Sequence, residues 1–351
     1  MKNTLLLIFS TLISFAVAEI ITSLFFKWNK TQKGIISDKV LMYSSPSFKA
    51  SENESVKYVP NVMIRSLAIY GNKIEYDITK KTNNLGFYDD IPYERSGPQV
   101  KDIVFVGDSF TAGVGGEKNW LGQVRNTLNQ SNVKVYNLGV AATGIHQFFN
   151  QLKVFEKKIP FDEVNIMVIS HDFFRKIWYP YESAGNIWFC YKDLSCPHSP
   201  FPIIYKAEHT DSHESLIKQT TQIYQQKHKK LKFYQKMGLY KLYKLYFYKK
   251  REDSKNIMYT ESLNKLKMMF NTFPNAKFRL FHIPEKQEVH ANQYSINIEQ
   301  DMQNIGIEYI PLLTQCSWSK NMYHKLDAHP NDIGYANLAK CITQIMHQYI
   351  K

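Results

Sequence analysis

The chain has 351 residues, of which 44% are hydrophobic and 21% charged, so it can bury a sizeable core and is not a disordered protein. Its formal net charge of +13 raises the question of a nucleic-acid or anionic partner. Residues 215–251 hold 11 Lys and Arg and no Asp or Glu, so this one segment carries most of the excess. Because no zinc-finger spacing, RNP-type motif or basic zipper accompanies it, we expect no nucleic-acid partner.

The N-terminal segment is strongly apolar. Residues 4–26 contain Glu19 as their only charged residue. A run of this length is long enough to cross a bilayer as a helix, while Ala16-Val17-Ala18 is typical of a signal-peptide cleavage site. We therefore expect residues 1–28 to be a signal anchor, which would tether the protein to a membrane facing the periplasm or cell exterior. The alternative is a cleaved signal peptide and a secreted protein.

The pattern changes along the chain. Residues 29–100 are rich in turns and alternating stretches, which predict a small β-rich lead-in. Residues 101–351 alternate strands with helices, which predicts an α/β domain whose parallel sheet is covered on both faces. The predicted strands are Ile103–Val106, Val133–Asn137, Val164–Ile169, Lys277–Ile283 and Ile307–Leu312, and the predicted helices are Trp120–Leu128, His146–Glu156 and a closing helix after Pro330.

Residues 175–275 interrupt this alternation and predict an inserted cap over the carboxyl edge of the sheet. The first part of the insertion is aromatic and rich in proline, and the second is the basic stretch. Three interpretations of the basic stretch stay open: a solvated helical face, a contact with an acidic membrane surface, or a groove for an anionic glycan.

The four cysteines are too few for a disulfide scaffold, and none lies in a Cys-x-x-Cys pair. In an oxidising compartment Cys190 and Cys196 would close a small loop, and Cys316 and Cys341 would either pair or stay as buried thiols. The histidines of the insertion lack the spacing of zinc ligands, so we expect no metal site. These are His198, His209, His213 and His228.

The strongest motif is Gly107-Asp108-Ser109, which directly follows an apolar strand and precedes a helix. A serine at the carboxyl end of a parallel strand lies where open α/β sheets place their active sites. Backbone N–H groups of the neighbouring turn can stabilise an oxyanion there. The alternative is that Asp108 or Ser109 only caps the helix.

A second motif, Asp327-Ala328-His329-Pro330-Asn331, precedes the closing helix. A serine nucleophile needs a base to take its proton, and the base needs a carboxylate to fix its tautomer. Asp327 and His329 can supply both groups if their loop meets Ser109. The alternative is a plain turn followed by a helix start.

Together these motifs resemble the SGNH hydrolases, also called GDSL-type esterases, over about residues 83–350. The resemblance implies a three-layer, flavodoxin-like parallel sheet sandwich and a catalytic triad of Ser109, His329 and Asp327. It also implies that the backbone N–H of Gly139 helps to hold the oxyanion. The family needs no metal or organic cofactor, and its membrane-tethered bacterial members are similar in their N-terminal anchor.

Two features depart from the family pattern. The Asp-x-His spacing at Asp327 is shorter than the usual Asp-x-x-His and is similar to that of exported polysaccharide O-acetyltransferases. His171 stands where the family has an oxyanion-hole Asn, and acts either as a replacement donor or as a merely structural residue.

Two further residues lie near these motifs. Lys286, in a Pro-x-Lys turn, is either a substrate contact or part of a charged loop, and we expect His324 to be a surface residue.

The sequence thus predicts a serine-dependent hydrolase of acyl esters carried on a carbohydrate or a lipid-like molecule. One alternative is a polysaccharide O-acyltransferase, which would need an acyl-donor partner in the membrane. The other is a non-catalytic glycan-binding or assembly protein with a degenerate oxyanion site.

Overall fold

The structure is a computed structural model. It describes residues 2–32, 39–44, 47–128, 132–175, 178–183, 186–190, 205–230, 237–240, 242–243 and 252–350. Cys196, His198 and much of the basic stretch therefore lie outside the described residues.

The part before the central sheet contains a long helix and five strands. Two strands pair as a short antiparallel hairpin, and three others belong to a four-stranded sheet. The boundary that we predict at residue 100 stays a prediction. The elements are α1 (Lys2–Gln32), β1 (Lys39–Tyr43), β2 (Phe48–Ser51), β3 (Ser55–Tyr58), β4 (Met63–Tyr70) and β5 (Lys73–Lys81).

A five-stranded parallel sheet forms the centre of the fold and confirms the predicted α/β class. Its strands are β6 (Lys101–Gly107), β7 (Val133–Gly139), β8 (Glu163–Val168), β12 (Lys277–His282) and β13 (Glu308–Pro311). Their order across the sheet is β13-β12-β8-β6-β7, so β6 lies between β7 and β8. The first strand of this sheet in chain order, β6, is therefore an interior strand, and its carboxyl end lies next to the carboxyl ends of β7 and β8.

Helices cover the sheet because their apolar faces repeat at helical spacing. The helices that precede the insertion are α2 (Ser109–Ala112), α3 (Trp120–Leu128) and α4 (Ile145–Glu156), and β8 leads into a short 3-10 helix, Ser170–Phe174. Those that follow it are α7 (Lys286–Ala291), α8 (Glu299–Ile305), α9 (Leu312–Gln315), a 3-10 turn at Lys320–Met322, and α10 (Asp332–Tyr349).

One hydrophobic cluster joins α3 and α10 to the sheet. It contains Trp120, Phe105 and Tyr335, each with at most 1% of its surface exposed. Burial of such large side chains stabilises the fold by about 1.5–3 kcal/mol each. The Trp120 indole N–H also donates to the Thr111 carbonyl at 2.9 Å, which ties α3 to α2.

The insertion contributes further elements: β9 (Tyr179–Ser183), β10 (Asn186–Cys190), β11 (Tyr205–Lys206), α5 (His213–Lys230) and the start of α6 (Glu252–Thr272). Strands β9 and β10 form an antiparallel hairpin, whereas β11 pairs parallel to β1. The chain separates into two compact units, one of residues 1–40, 69–74 and 211–256 and the other of residues 41–68, 75–210 and 257–351.

In the first unit, Glu19 has a structural role that explains a charge within an apolar helix. Its carboxylate accepts the backbone N–H of Gly238 at 2.6 Å and that of Leu239 at 3.0 Å, and it also accepts the Ser23 hydroxyl at 2.9 Å. The N–H groups at the start of a short helical segment thereby gain the partner that a helix N-terminus lacks. Among the described residues, no helix combines the length and apolarity needed to cross a membrane, so the expected membrane segment is not confirmed.

Of the two alternatives for Cys316 and Cys341, the structure shows the disulfide and not the buried thiols. The disulfide joins the end of α9 to the middle of α10. Cys190 is disulfide-bonded as well, and no described cysteine is free. Export to an oxidising compartment remains a prediction, with which these bonds are consistent.

Candidate active site

The turn after β6 places Ser109 at the carboxyl end of that strand. A side chain at Gly107 would put its Cβ 2.6 Å from the Met167 carbonyl oxygen on β8, so only glycine fits there. Asp108 Oδ1 accepts the backbone N–H of Phe110 at 2.8 Å and thereby caps α2. Asp108 thus supports the turn, and Ser109 lies at the first position of α2 with 8% of its surface exposed.

The structure brings Ser109, His329 and Asp327 together. Ser109 Oγ lies 2.8 Å from His329 Nε2, and His329 Nδ1 is hydrogen-bonded to Asp327 Oδ1. The same carboxylate oxygen accepts the backbone N–H of His329 at 2.9 Å. Since an ionised carboxylate only accepts hydrogen bonds, Nδ1 carries a proton and Nε2 is left as the acceptor for the serine proton. Asp327 is 1% exposed, so water does not compete for it.

The loop that carries Asp327 and His329 is held by side chains from other elements. Lys286 Nζ donates to the carbonyls of His324 at 2.6 Å and Lys325 at 2.8 Å. Glu75 Oε1 accepts the backbone N–H of Leu326 at 2.7 Å. Lys286 therefore holds this loop, a role outside the two that its sequence context suggested.

His324 is not a surface residue, contrary to expectation. It is half-buried, its Nε2 lies 2.7 Å from the Gly115 carbonyl oxygen, and its ring packs against that of Tyr76. Gly115 follows α2, so His324 links the loop of His329 to the turn of Ser109. The spacing of residues along the chain could not show this contact, because its partners lie 209 positions apart.

Gly139 lies at the end of β7, opposite Gly107 of β6. A Cβ at this position would come within 2.2 Å of the Ala112 backbone nitrogen, which explains the glycine. Its N–H, however, donates to the Asn137 side-chain oxygen at 2.9 Å. The Asn137 side chain therefore competes for the N–H group that we expected to bind the oxyanion.

Ala142, three residues further on, is an unexpected candidate donor. Its φ of 62° is left-handed, a conformation that residues other than glycine rarely adopt. The neighbouring Ala141 N–H donates to the Tyr58 hydroxyl and the Val140 N–H donates to the Gly107 carbonyl. The Ala142 N–H, in contrast, finds no acceptor among the described residues. This segment wraps around Gly107 and so lies beside the turn of Ser109.

His171 lies on the 3-10 helix that follows β8. Its side chain is exposed, whereas Ser170 and Asp172 on either side are buried. Its role as an oxyanion donor stays a prediction.

Arg175 links the segment that follows β8 to the Ser109 turn. The sequence motifs did not identify this residue. Its Nη2 lies 2.8 Å from Asp108 Oδ2, and its Nε lies 2.8 Å from Asp172 Oδ1 without the geometry of a hydrogen bond. Asp172 Oδ2 accepts the backbone N–H of Ile169 at 3.0 Å, which fixes this carboxylate at the end of β8. Burial, and next the Asp108 charge, raise the pKa of Asp172, while Arg175 opposes that shift.

More carboxylates lie near this pair. Burial raises the pKa of Glu285 to about 7, the charges of Glu288 and Asp108 add to the shift, and Arg175 lowers it. Glu288 is 1% exposed and accepts the Ser170 hydroxyl at 2.5 Å. Within the described residues, no cluster of His, Cys, Asp and Glu has the arrangement of a metal site.

A small cleft adjoins Arg175 at the N-terminus of α4. His146 and Gln147 line it, together with Lys265 and Glu261. Burial lowers the pKa of His146 to about 4, so its ring is neutral at physiological pH. Among the residues that the structure describes, His146 Nδ1 and Gln147 Oε1 are buried behind this cleft without a hydrogen-bond partner.

A parallel sheet with Ser, His and carboxylate groups at its carboxyl edge defines an α/β protein with the elements of a hydrolase site. A family model of the GDSL-like lipases and acylhydrolases matches residues 103–342. The chain belongs to this family and is an ester-hydrolysing enzyme.

Matching solved structures include a lipase/acylhydrolase and a carbohydrate esterase. The lipase/acylhydrolase from Enterococcus faecalis is 13% identical, with a TM-score of 0.37, and the match covers 72% of this chain and 98% of that one. The family 3 carbohydrate esterase from Clostridium thermocellum is 13% identical, with a TM-score of 0.40, over 72% of this chain and 97% of that one. No curated protein matches the chain in sequence.

Proposed function

We propose that this enzyme hydrolyses acyl esters with Ser109 as its nucleophile, His329 as its general base and Asp327 as the group that orients the imidazole. The observation that carries the proposal is the 2.8 Å contact between Ser109 Oγ and His329 Nε2. His329 takes the hydroxyl proton as Oγ attacks the ester carbonyl, and it then donates this proton to the leaving alcohol. Water, activated by the same imidazole, releases the acid and restores Ser109.

The tetrahedral intermediate needs hydrogen-bond donors for its oxyanion. The Ser109 N–H is available because the first N–H groups of a helix have no partner within the helix. The Ala142 N–H is a better second candidate than that of Gly139, since the latter already donates to Asn137. His171 would be a third donor if its side chain turned towards the substrate.

The substrate class that we propose is an ester of a small acyl group on a carbohydrate. It is supported by the polar lining of the cleft beside Arg175, which includes Gln147 and Glu261 and suits hydroxyl groups. A transferase that passes the acyl group to a sugar hydroxyl is the second candidate, and the short Asp-x-His spacing at Asp327 favours it. Tethering to a membrane, a membrane acyl donor and export remain proposals.

The test uses the full chain with a fluorophosphonate probe and with p-nitrophenyl acetate. Labelling and acetate release should vanish in Ser109→Ala and fall at least a thousandfold in His329→Ala. His290→Ala is the matched control, because His290 is exposed on α7. Full activity in folded Ser109→Ala would refute the proposal. Acetylated glycans compared with long-chain esters then test the substrate class, and added sugar acceptors test for transfer.

A further inference from the structure

The Ser109 hydroxyl faces two competing acceptors. Its Oγ lies 2.8 Å from His329 Nε2 and 3.4 Å from Asp108 Oδ2. A hydroxyl has one proton and so donates to only one acceptor at a time. Only donation to His329 prepares Ser109 for attack, because the imidazole must take that proton. A carboxylate is the stronger acceptor, so an unopposed Asp108 would draw the hydroxyl away from His329.

Arg175 opposes Asp108 at the oxygen where the competition arises. Its Nη2 lies 2.8 Å from Asp108 Oδ2, the same atom that faces Ser109. The other carboxylate oxygen is already occupied by the N–H of Phe110. Asp108 is only 1% exposed, so water cannot replace the guanidinium as a partner.

The surroundings of Arg175 keep its guanidinium in this position. Its Nε lies 2.8 Å from Asp172, which is fully buried and fixed at the end of β8. The charges of Glu285 and Glu288 act on the same group of carboxylates. Arg175 therefore offsets negative charge at the point where the ends of β6 and β8 meet.

We propose that Arg175 is a positioning residue for the nucleophile: by binding Asp108 Oδ2, it directs the Ser109 hydroxyl proton to His329 Nε2. This proposal rests on the proposed function, since it assumes that Ser109 and His329 act as nucleophile and base. Arg175 acts through Asp108 and does not touch the reacting atoms.

The experiment measures kcat and KM for p-nitrophenyl acetate across pH with full-length variants. We expect Arg175→Met to lower kcat about 10- to 100-fold, the range of one hydrogen bond to a charged group, with KM changed less than about twofold. The unopposed Asp108 charge also favours the imidazolium form, which cannot accept a proton. The acid limb of the kcat/KM profile should therefore move to higher pH.

The decisive variant is Arg175→Met combined with Asp108→Asn. The introduced asparagine keeps the cap on α2 through its side-chain oxygen but lacks the charge, so kcat and the acid limb should both return towards wild type. Arg175→Lys keeps a positive charge without the planar fork and should retain activity between those of wild type and Arg175→Met. If Arg175→Met does not fold, Arg175→Lys with and without Asp108→Asn makes the same comparison.

Three outcomes would overturn the proposal: wild-type kcat in folded Arg175→Met, a loss of kcat that Asp108→Asn does not restore, or a rise in KM alone, which would make Arg175 a substrate contact. Ser109→Ala distinguishes a failure of the positioning role from a failure of the proposed function. If Ser109→Ala is inactive and Arg175→Met is normal, only the positioning role fails. If Ser109→Ala stays active, the proposed function itself fails.

Discussion

The Cys316–Cys341 disulfide allows a stability change to be worked from the structure. The two cysteines are 25 residues apart, and closing a loop of that length in the unfolded chain corresponds to a stabilisation of about 3.5 kcal/mol at 25 °C. Cys341 is 5% exposed within α10, so its replacement by alanine also removes a little packing. We therefore expect Cys316→Ala with Cys341→Ala to lower the free energy of unfolding by about 3–4 kcal/mol.

Urea unfolding of the double variant beside wild type measures this change. Adding reductant to wild type is not equivalent, because Cys190 is also disulfide-bonded. Reductant added to the double variant then isolates the contribution of the bond at Cys190. We expect kcat to be unchanged at low urea, since neither cysteine contacts the Ser109 site. An unchanged unfolding midpoint would refute the reasoning, as would lost activity at unchanged stability.

Three further predictions concern single residues. Ala142→Gly should raise the free energy of unfolding by about 0.5–1 kcal/mol in urea, because glycine tolerates the left-handed φ, and should keep kcat; a destabilised variant would contradict the observed backbone. Burial raises the pKa of Glu285 from 4.5 to about 7, so the contribution of this group to stability is lost as the pH rises from about 4.5 to 7. In Glu285→Gln the free energy of unfolding should therefore depend less on pH in that window. The same pH dependence in the variant and wild type would contradict this. His324→Ala should lower kcat and change KM less, because the loop of His329 is loosened. The control His347→Ala, on the exposed face of α10, should have no effect. Equal activities of the two variants would show that the loop needs no such support.

The sheet was predictable because its strands are continuous apolar runs, which parallel strands buried on both faces require. The position of Ser109 at the carboxyl edge of the sheet followed from the geometry that all parallel sheets share. Its proximity to His329 was implied only by the family resemblance, since the local pattern left open whether the loop of His329 meets Ser109.

Other parts of the site depend on contacts that no local pattern encodes. Nothing in the sequence shows that the Asn137 side chain takes the Gly139 N–H, or that Ala142 adopts a left-handed φ. Arg175 and His324 bind partners brought near only by the finished fold. Side chains that hold a site in place are therefore the hardest to find from sequence, even where motifs identify the candidate reacting groups.

The interior position of β6 has a consequence for how the enzyme is made. Ser109 leaves the ribosome early, on the strand from which the sheet extends to both sides, whereas His329 follows 220 residues later. Under the proposed function, a chain that stops before Asp327 would have its nucleophile but neither its base nor α10, which helps to close the core. Hydrolytic activity would then report that synthesis has passed α10, because shorter chains would lack the base.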